Sequence, residues 1–179
     1  MVAKTRNKLT TFEKAVLPHL DAAFNLARWL TRNDEDAHDV VQESYLRALK
    51  FFDSFHGEDG RSWLLAIVRN TSYTWIQHNR SPDLAVALDD EMYEIESKDL
   101  NPEALLLQSS DNQMIRKALE ELPAEFREVL VLREFEELSY KEIAQITQVP
   151  IGTVMSRLAR GRKRLQLALS NHKYTEVPS

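Results

Sequence analysis

The chain has 179 residues, 43% of them hydrophobic, with 23 Lys or Arg against 28 Asp or Glu and a net charge of −5. That size allows two small domains or one larger one, each with a genuine core. The absence of cysteine excludes disulfides, thiolate metal sites and thiol redox sensing, and the longest apolar run, Trp63 to Val68, is too short to cross a bilayer.

The amino-terminal Met-Val-Ala-Lys-Thr-Arg-Asn-Lys carries charge with no apolar signal segment after it, so the cytoplasm is the expected compartment and no membrane insertion is expected. Only 4 Gly and 6 Pro, with helical period in nearly every patterned stretch, predict an all-α protein. Phe12, Val16, Leu20, Phe24, Ala27 and Leu30 define a first helical stripe, with Pro18 marking a helix start or kink. Asn33-Asp34 then caps a second helix whose inward side is Ala37, Val40, Val41, Tyr45, Ala48 and Phe52. Its other side gathers Asp39, Gln42, Glu43, Leu46 and Lys50, an apolar residue ringed by charge that suits a protein partner.

Phe51 to Gly60 is a loop with two glycines, and a helix is predicted from about Arg61 to Arg80. Trp63, Ile67, Val68 and Thr71 pack inward; Trp75 suits either a core or a stacking role. Tyr73, Trp75, His78, Asn79 and Arg80 crowd the end of this helix, and aromatics interleaved with basic and amide groups can stack on unpaired bases.

Residues 81 to 110 change character: eight carboxylates face Lys98 alone, a net charge of −7, with Ser81-Pro82 and Asn101-Pro102 at the two ends. A block of like charge packs poorly, so this stretch is predicted to be a flexible linker between helical domains at 9–80 and 111–173. After it, Met114, Ile115, Ala118, Leu119 and Leu122 form one amphipathic helix ended before Pro123, and Phe126, Val129, Leu130 and Leu132 form the next.

Ser139 and Glu142 make a capping box that starts a short helix, with Ile143, Ala144 and Ile146 inward and Thr147 to Pro150 breaking it. In the next helix Ile151, Val154, Leu158, Leu165 and Leu169 form an inward stripe; Thr153, Ser156, Arg157, Arg160 and Arg164 lie opposite. From Pro150 to Lys173 there are six Lys or Arg and no Asp or Glu. A capped first helix, a short turn and a basic second helix predict a helix-turn-helix suited to the major groove of duplex DNA. No phosphate-cradling glycine motif, catalytic constellation or helical metal pair is visible, so neither enzymatic activity nor a cofactor is expected. A stand-alone regulator, a helical enzyme with a structural hairpin and a protein-binding adaptor remain the competing readings.

Three ordered segments carry a family likeness. Asp36-Ala-His-Asp-Val-Val-Gln-Glu-Ser-Tyr-Leu-Arg-Ala48, Arg61-Ser-Trp-Leu-Leu-Ala-Ile-Val-Arg-Asn70, and Leu122-Pro-Ala-Glu-Phe-Arg-Glu-Val-Leu-Val-Leu-Arg133 with the helix-turn-helix resemble the bacterial sigma factors of the extracytoplasmic-function (ECF) group, sigma-70 family. The resemblance implies a region 2-like domain, a region 4-like domain and a role in transcription initiation. It implies that Asp39, Gln42, Glu43 and Leu46 dock on core RNA polymerase. Ser54, Phe55, His56, Arg61, Asn70, Tyr73, Trp75, His78 and Arg80 would meet the minus-ten element of promoter DNA, and Thr153, Ser156, Arg157, Arg160 and Arg164 the minus-thirty-five element. It also implies an anti-sigma factor as inhibitory partner. Thr74 stands where many relatives have aspartate, and Met155 where several have arginine.

Overall fold

A computed structural model describes residues 1–79 and 110–175. The predicted linker, Ser110 excepted, and Arg80 lie outside these residues. Among them the secondary structure is helical, without strands.

Helix α1 (Val2–Val16) ends in a tight turn at Leu17–His19, and α2 (Leu20–Thr31) follows. Pro18 sits in that turn because it has no N–H to donate and its ring collides with the carbonyl four residues back. Arg32 then takes a left-handed conformation, φ 58°, and Asn33 caps α3 (Asp34–Phe51) by accepting from the Asp36 N–H at 2.9 Å. Helix α4 (Gly60–Asn79) completes the amino-terminal unit, with Phe12, Leu26, Leu30, Val40, Leu64, Leu65 and Val68 in its core.

Between α3 and α4 an aromatic cluster holds the loop. Phe12 meets Tyr45 and Phe52 edge-on at 5.1 and 5.3 Å, and Phe55 lies 4.7 Å from Trp63. Trp63 therefore packs as expected, though only in part buried. Gly60 is buried where α4 begins, and a Cβ there would stand 2.5 Å from the Ala15 carbonyl oxygen. Gly60→Ala should destabilise the chain by about 1–3 kcal/mol through this backbone collision. Thermal unfolding followed by circular dichroism checks it, and an unchanged midpoint would contradict the close approach.

The carboxy-terminal unit comprises α5 (Ser110–Glu120), α6 (Ala124–Leu130), a wider helical turn at Val131–Phe135, α7 (Tyr140–Thr147) and α8 (Ile151–Thr175). The capping box at the start of α7 is present in both directions: Glu142 N–H donates to Ser139 Oγ at 3.2 Å and Ser139 N–H to Glu142 Oε2 at 2.7 Å. Gln148, at φ 57°, ends α7 in the left-handed region. Val154 and Leu158 are buried as predicted, with Gly161 beside them under Leu130 of α6. Ile151 departs from the prediction. It is 46% exposed, because it opens α8 at the turn and lies outside the group of side chains that forms the core.

The two units lie against each other, α2 and α4 facing α6, the Val131–Phe135 turn and α7. Their buried apolar residues form one continuous cluster, and Trp29 stacks near Phe135 at 5.7 Å.

Candidate nucleic-acid and partner interfaces

On α3 the inward residues Ala37, Val40 and Ala48 leave the other side open. Asp39, Gln42 and Leu46 are exposed there, Leu46 by 55%, and Glu43 accepts from Arg47 Nε at 2.8 Å one turn on. The four residues predicted to dock a protein thus share one face, as their spacing of 3 and 4 requires.

The α3–α4 loop presents Ser54 and His56 to solvent, while Phe55 is tied into the ring cluster. Asp59 accepts from the Ser62 N–H at 3.0 Å. Burial pushes its carboxyl up, but the hydrogen bonds from Ser62 and the nearby His19 and Arg61 hold it below the usual range. Farther along α4, Asn70 and His78 are exposed and Trp75 is partly buried, packed against the core.

Arg61 and Tyr73 both face carboxylates of the carboxy-terminal unit. Arg61 Nη2 donates to the Glu136 carbonyl and carboxylate at 2.7 and 2.8 Å, and Asn25 Nδ2 reaches the same carboxylate at 3.0 Å. Tyr73 lies under the Arg69 guanidinium, 4.4 Å from ring centre to carbon, and interacts with Glu128. Burial pushes the Tyr73 hydroxyl above its ordinary range, and Glu128 pushes it further. Arg69 itself donates to both Glu128 oxygens, Nε at 2.9 Å and Nη2 at 3.2 Å. Burial would lower its pKa, but the hydrogen bonds it donates to Glu128 and that carboxylate's charge outweigh this and raise it.

On α8, Ser156, Arg160 and Arg164 are exposed and Thr153 partly so. Arg164 also covers the Phe126 ring at 4.9 Å. Arg157, predicted to face outward, is only 22% exposed and lies 3.6 Å from Glu125 and 3.8 Å from Glu128. Expected on the outward side, it stands only three residues after Val154, about 60° round the helix, so it flanks the buried stripe and meets the carboxylates of α6. Among the described residues no cluster able to hold a metal is present, and no helix is long and apolar enough to cross a membrane.

Residues 15–81 match the family model for sigma-70 region 2, and residues 112–165 that for sigma-70, region 4. The RNA polymerase sigma-H factor of Pseudomonas aeruginosa is 32% identical over 171 residues, covering 92% of this chain and 89% of that protein. The chain belongs to the sigma-70 family, within its ECF group. This sigma factor is also 38% identical over 137 residues to the ECF RNA polymerase sigma-E factor of Escherichia coli, covering 73% and 72% of the two chains. It is 32% identical to the ECF sigma factor SigE of Mycolicibacterium smegmatis and spans 63% of that protein's length. Among solved structures, Bartonella quintana RpoE, in complex with the anti-sigma factor NepR, superposes with a TM-score of 0.72 at 32% identity over 89% of this chain and 97% of that one. CnrH, at 23% identity and a TM-score of 0.64, shares the fold.

In this sigma factor the region 2 match runs through α2, α3 and α4, and the region 4 match through most of α5, α6, α7 and more than half of α8. Sequence reasoning missed Arg69, Glu128 and Glu136. The one local signal for Glu128 is that it lies in Phe126–Leu132, where every side chain is buried whatever side of the helix it occupies.

Proposed function

We propose that this chain is a promoter-specificity subunit of bacterial RNA polymerase, acting in the cytoplasm, without catalytic activity of its own and under the control of an anti-sigma factor. The observation that carries the reading is the pairing, in one chain, of a region 2 module whose α3 face is open with a region 4 module whose capped helix-turn-helix exposes Ser156 and Arg160. On this reading Asp39, Gln42, Glu43 and Leu46 bind core polymerase. The α3–α4 loop with Arg61, Asn70, Tyr73, Trp75, His78 and Arg80 engages the minus-ten strand, and Thr153, Ser156, Arg157, Arg160 and Arg164 read the minus-thirty-five duplex. The domains at 9–80 and 111–173 grip separate promoter elements once polymerase fixes their spacing, so joint binding gains effective concentration that either lacks alone. Duplex opening is driven by capture of unstacked bases.

The anti-sigma assignment is supported by the RpoE relative, which was solved with NepR bound. Run-off transcription with core polymerase, on the promoter upstream of the protein's own gene, tests the reading. Transcripts that depend on this chain support it; none with active polymerase would reject it. In the same assay Arg157→Ala and Arg160→Ala should each weaken upstream recognition, by about 1–3 kcal/mol where the contact is to a base edge. Undiminished output from both variants would remove α8 from the promoter.

A further inference from the structure

Three ion pairs between described residues of the two units share one polarity. Arg28 on α2 and Arg61 and Arg69 on α4 supply cations from the amino-terminal unit; Glu120, Glu136 and Glu128 supply carboxylates from the carboxy-terminal unit. The contacts differ in quality. Arg28 Nη1 stands 3.7 Å from Glu120, whereas Arg61 and Arg69 make short hydrogen bonds, and the Glu128 side chain is fully buried.

The Arg69 fork on the two Glu128 oxygens is the geometry in which guanidinium recognises any planar or tetrahedral anion, phosphate included. Eight residues separate Arg61 from Arg69, about 12 Å along α4 and so the span of a few nucleotides. Tyr73 lies against Arg69, adding a ring to the same side of the helix. Cations in a row beside an aromatic are the elements with which proteins track an unpaired strand.

We propose that Arg61 and Arg69 form a phosphate track for a single nucleic-acid strand, and that Glu136 and Glu128 occupy it as intramolecular stand-ins while the two units are together. The idea rests on the sigma-factor reading and adds Arg69 to its strand-binding set, with a built-in competitor. Coverage is selective. Asp39, Gln42 and Leu46 on α3, Asn70 and His78 on α4 and Ser156 and Arg160 on α8 stay exposed in the same arrangement, so the closed chain occupies the Arg61–Arg69 track and leaves these positions open. The closure is also reversible in principle, because desolvating Arg69 and Glu128 offsets much of their mutual attraction and leaves a contact that fixes geometry more than it adds stability. Parting the units frees Arg69 and Tyr73 from Glu128, which keeps the Arg157 guanidinium of its own unit at 3.8 Å.

The test uses the full chain and a fluorescent mixed-sequence DNA strand of about 12 nucleotides, read by anisotropy across a salt series. The Glu128→Gln, Glu136→Gln double variant should bind about tenfold tighter at low salt, and its log–log salt slope should steepen by about 1.4, roughly 0.7 for each phosphate gained. Adding Arg61→Ala and Arg69→Ala should return both quantities to the wild-type level. Circular dichroism verifies folding; should Glu128→Gln fail to fold, Glu136→Gln alone should tighten binding about threefold with a slope change of about 0.7. Unchanged affinity and slope in the folded variants overturn the proposal. A chain active in run-off transcription but without tightening loses the stand-ins and keeps its function; tightening in a chain silent with polymerase keeps the strand track and loses the function.

Discussion

Arg127→Ala should cost the chain about 3–5 kcal/mol, the range for stripping one partner from a buried charged network. Arg127 is 1% exposed, and its Nη1 donates to the carbonyls of Glu120 and Leu122 at 2.8 and 3.2 Å. Those oxygens belong to the end of α5 and the turn after it, where helical carbonyls run out of intrahelical donors. Alanine removes the donor and the positive charge at the negative end of the helix, and leaves a side-chain-sized void beneath α6. At roughly 2–4 °C per kcal/mol for a chain of this size, the thermal midpoint should fall by about 6–20 °C. A fall smaller than that of Gly60→Ala would mean that Arg127 is not a main tie of the carboxy-terminal unit.

Charge reversal on α3, Asp39→Lys with Glu43→Lys, should weaken association with core polymerase at least about thirtyfold, about 2 kcal/mol, since like charges brought together at an interface cost several kcal/mol. The fold should survive. Both side chains lie on the outer side of α3, and the one contact broken, Glu43 with Arg47, is an exposed pair one helical turn apart, worth a few tenths of a kcal/mol. Fluorescence-detected titration of core polymerase measures the affinity, with circular dichroism as the folding control. Affinity within about twofold of wild type would take the docking site off this face.

What the sequence disclosed and what it hid divide along one line. Helix starts, caps and inward stripes depend on neighbours three or four residues away, so Asn33, the Ser139–Glu142 box and the Val154–Leu158 pair were legible. The same holds for the α3 face. Partners distant in sequence were not. Arg61 lies 75 residues from Glu136 and Arg69 lies 59 from Glu128, and no periodicity encodes such a pairing. Arg157 illustrates the cost: grouped by sequence with the outward residues, it borders the buried stripe, and Glu125 and Glu128 leave it only 22% exposed. Ile151 fails for the opposite reason, since a stripe extrapolated to the first residue of a helix assumes a neighbour that the turn does not supply.

The α3–α4 loop is pinned on both flanks, by the rings of Phe12, Phe52, Phe55 and Trp63 on one and by the contact of Gly60 with the Ala15 carbonyl on the other. Between these pins Ser54, His56, Gly57 and Glu58 stand in solvent. The tip is therefore an exchangeable cassette. Loops of other sequence transplanted into the span from His56 to Glu58 should be accepted without disturbing the scaffold, because no core contact is spent at the tip and the frame that displays it is left alone.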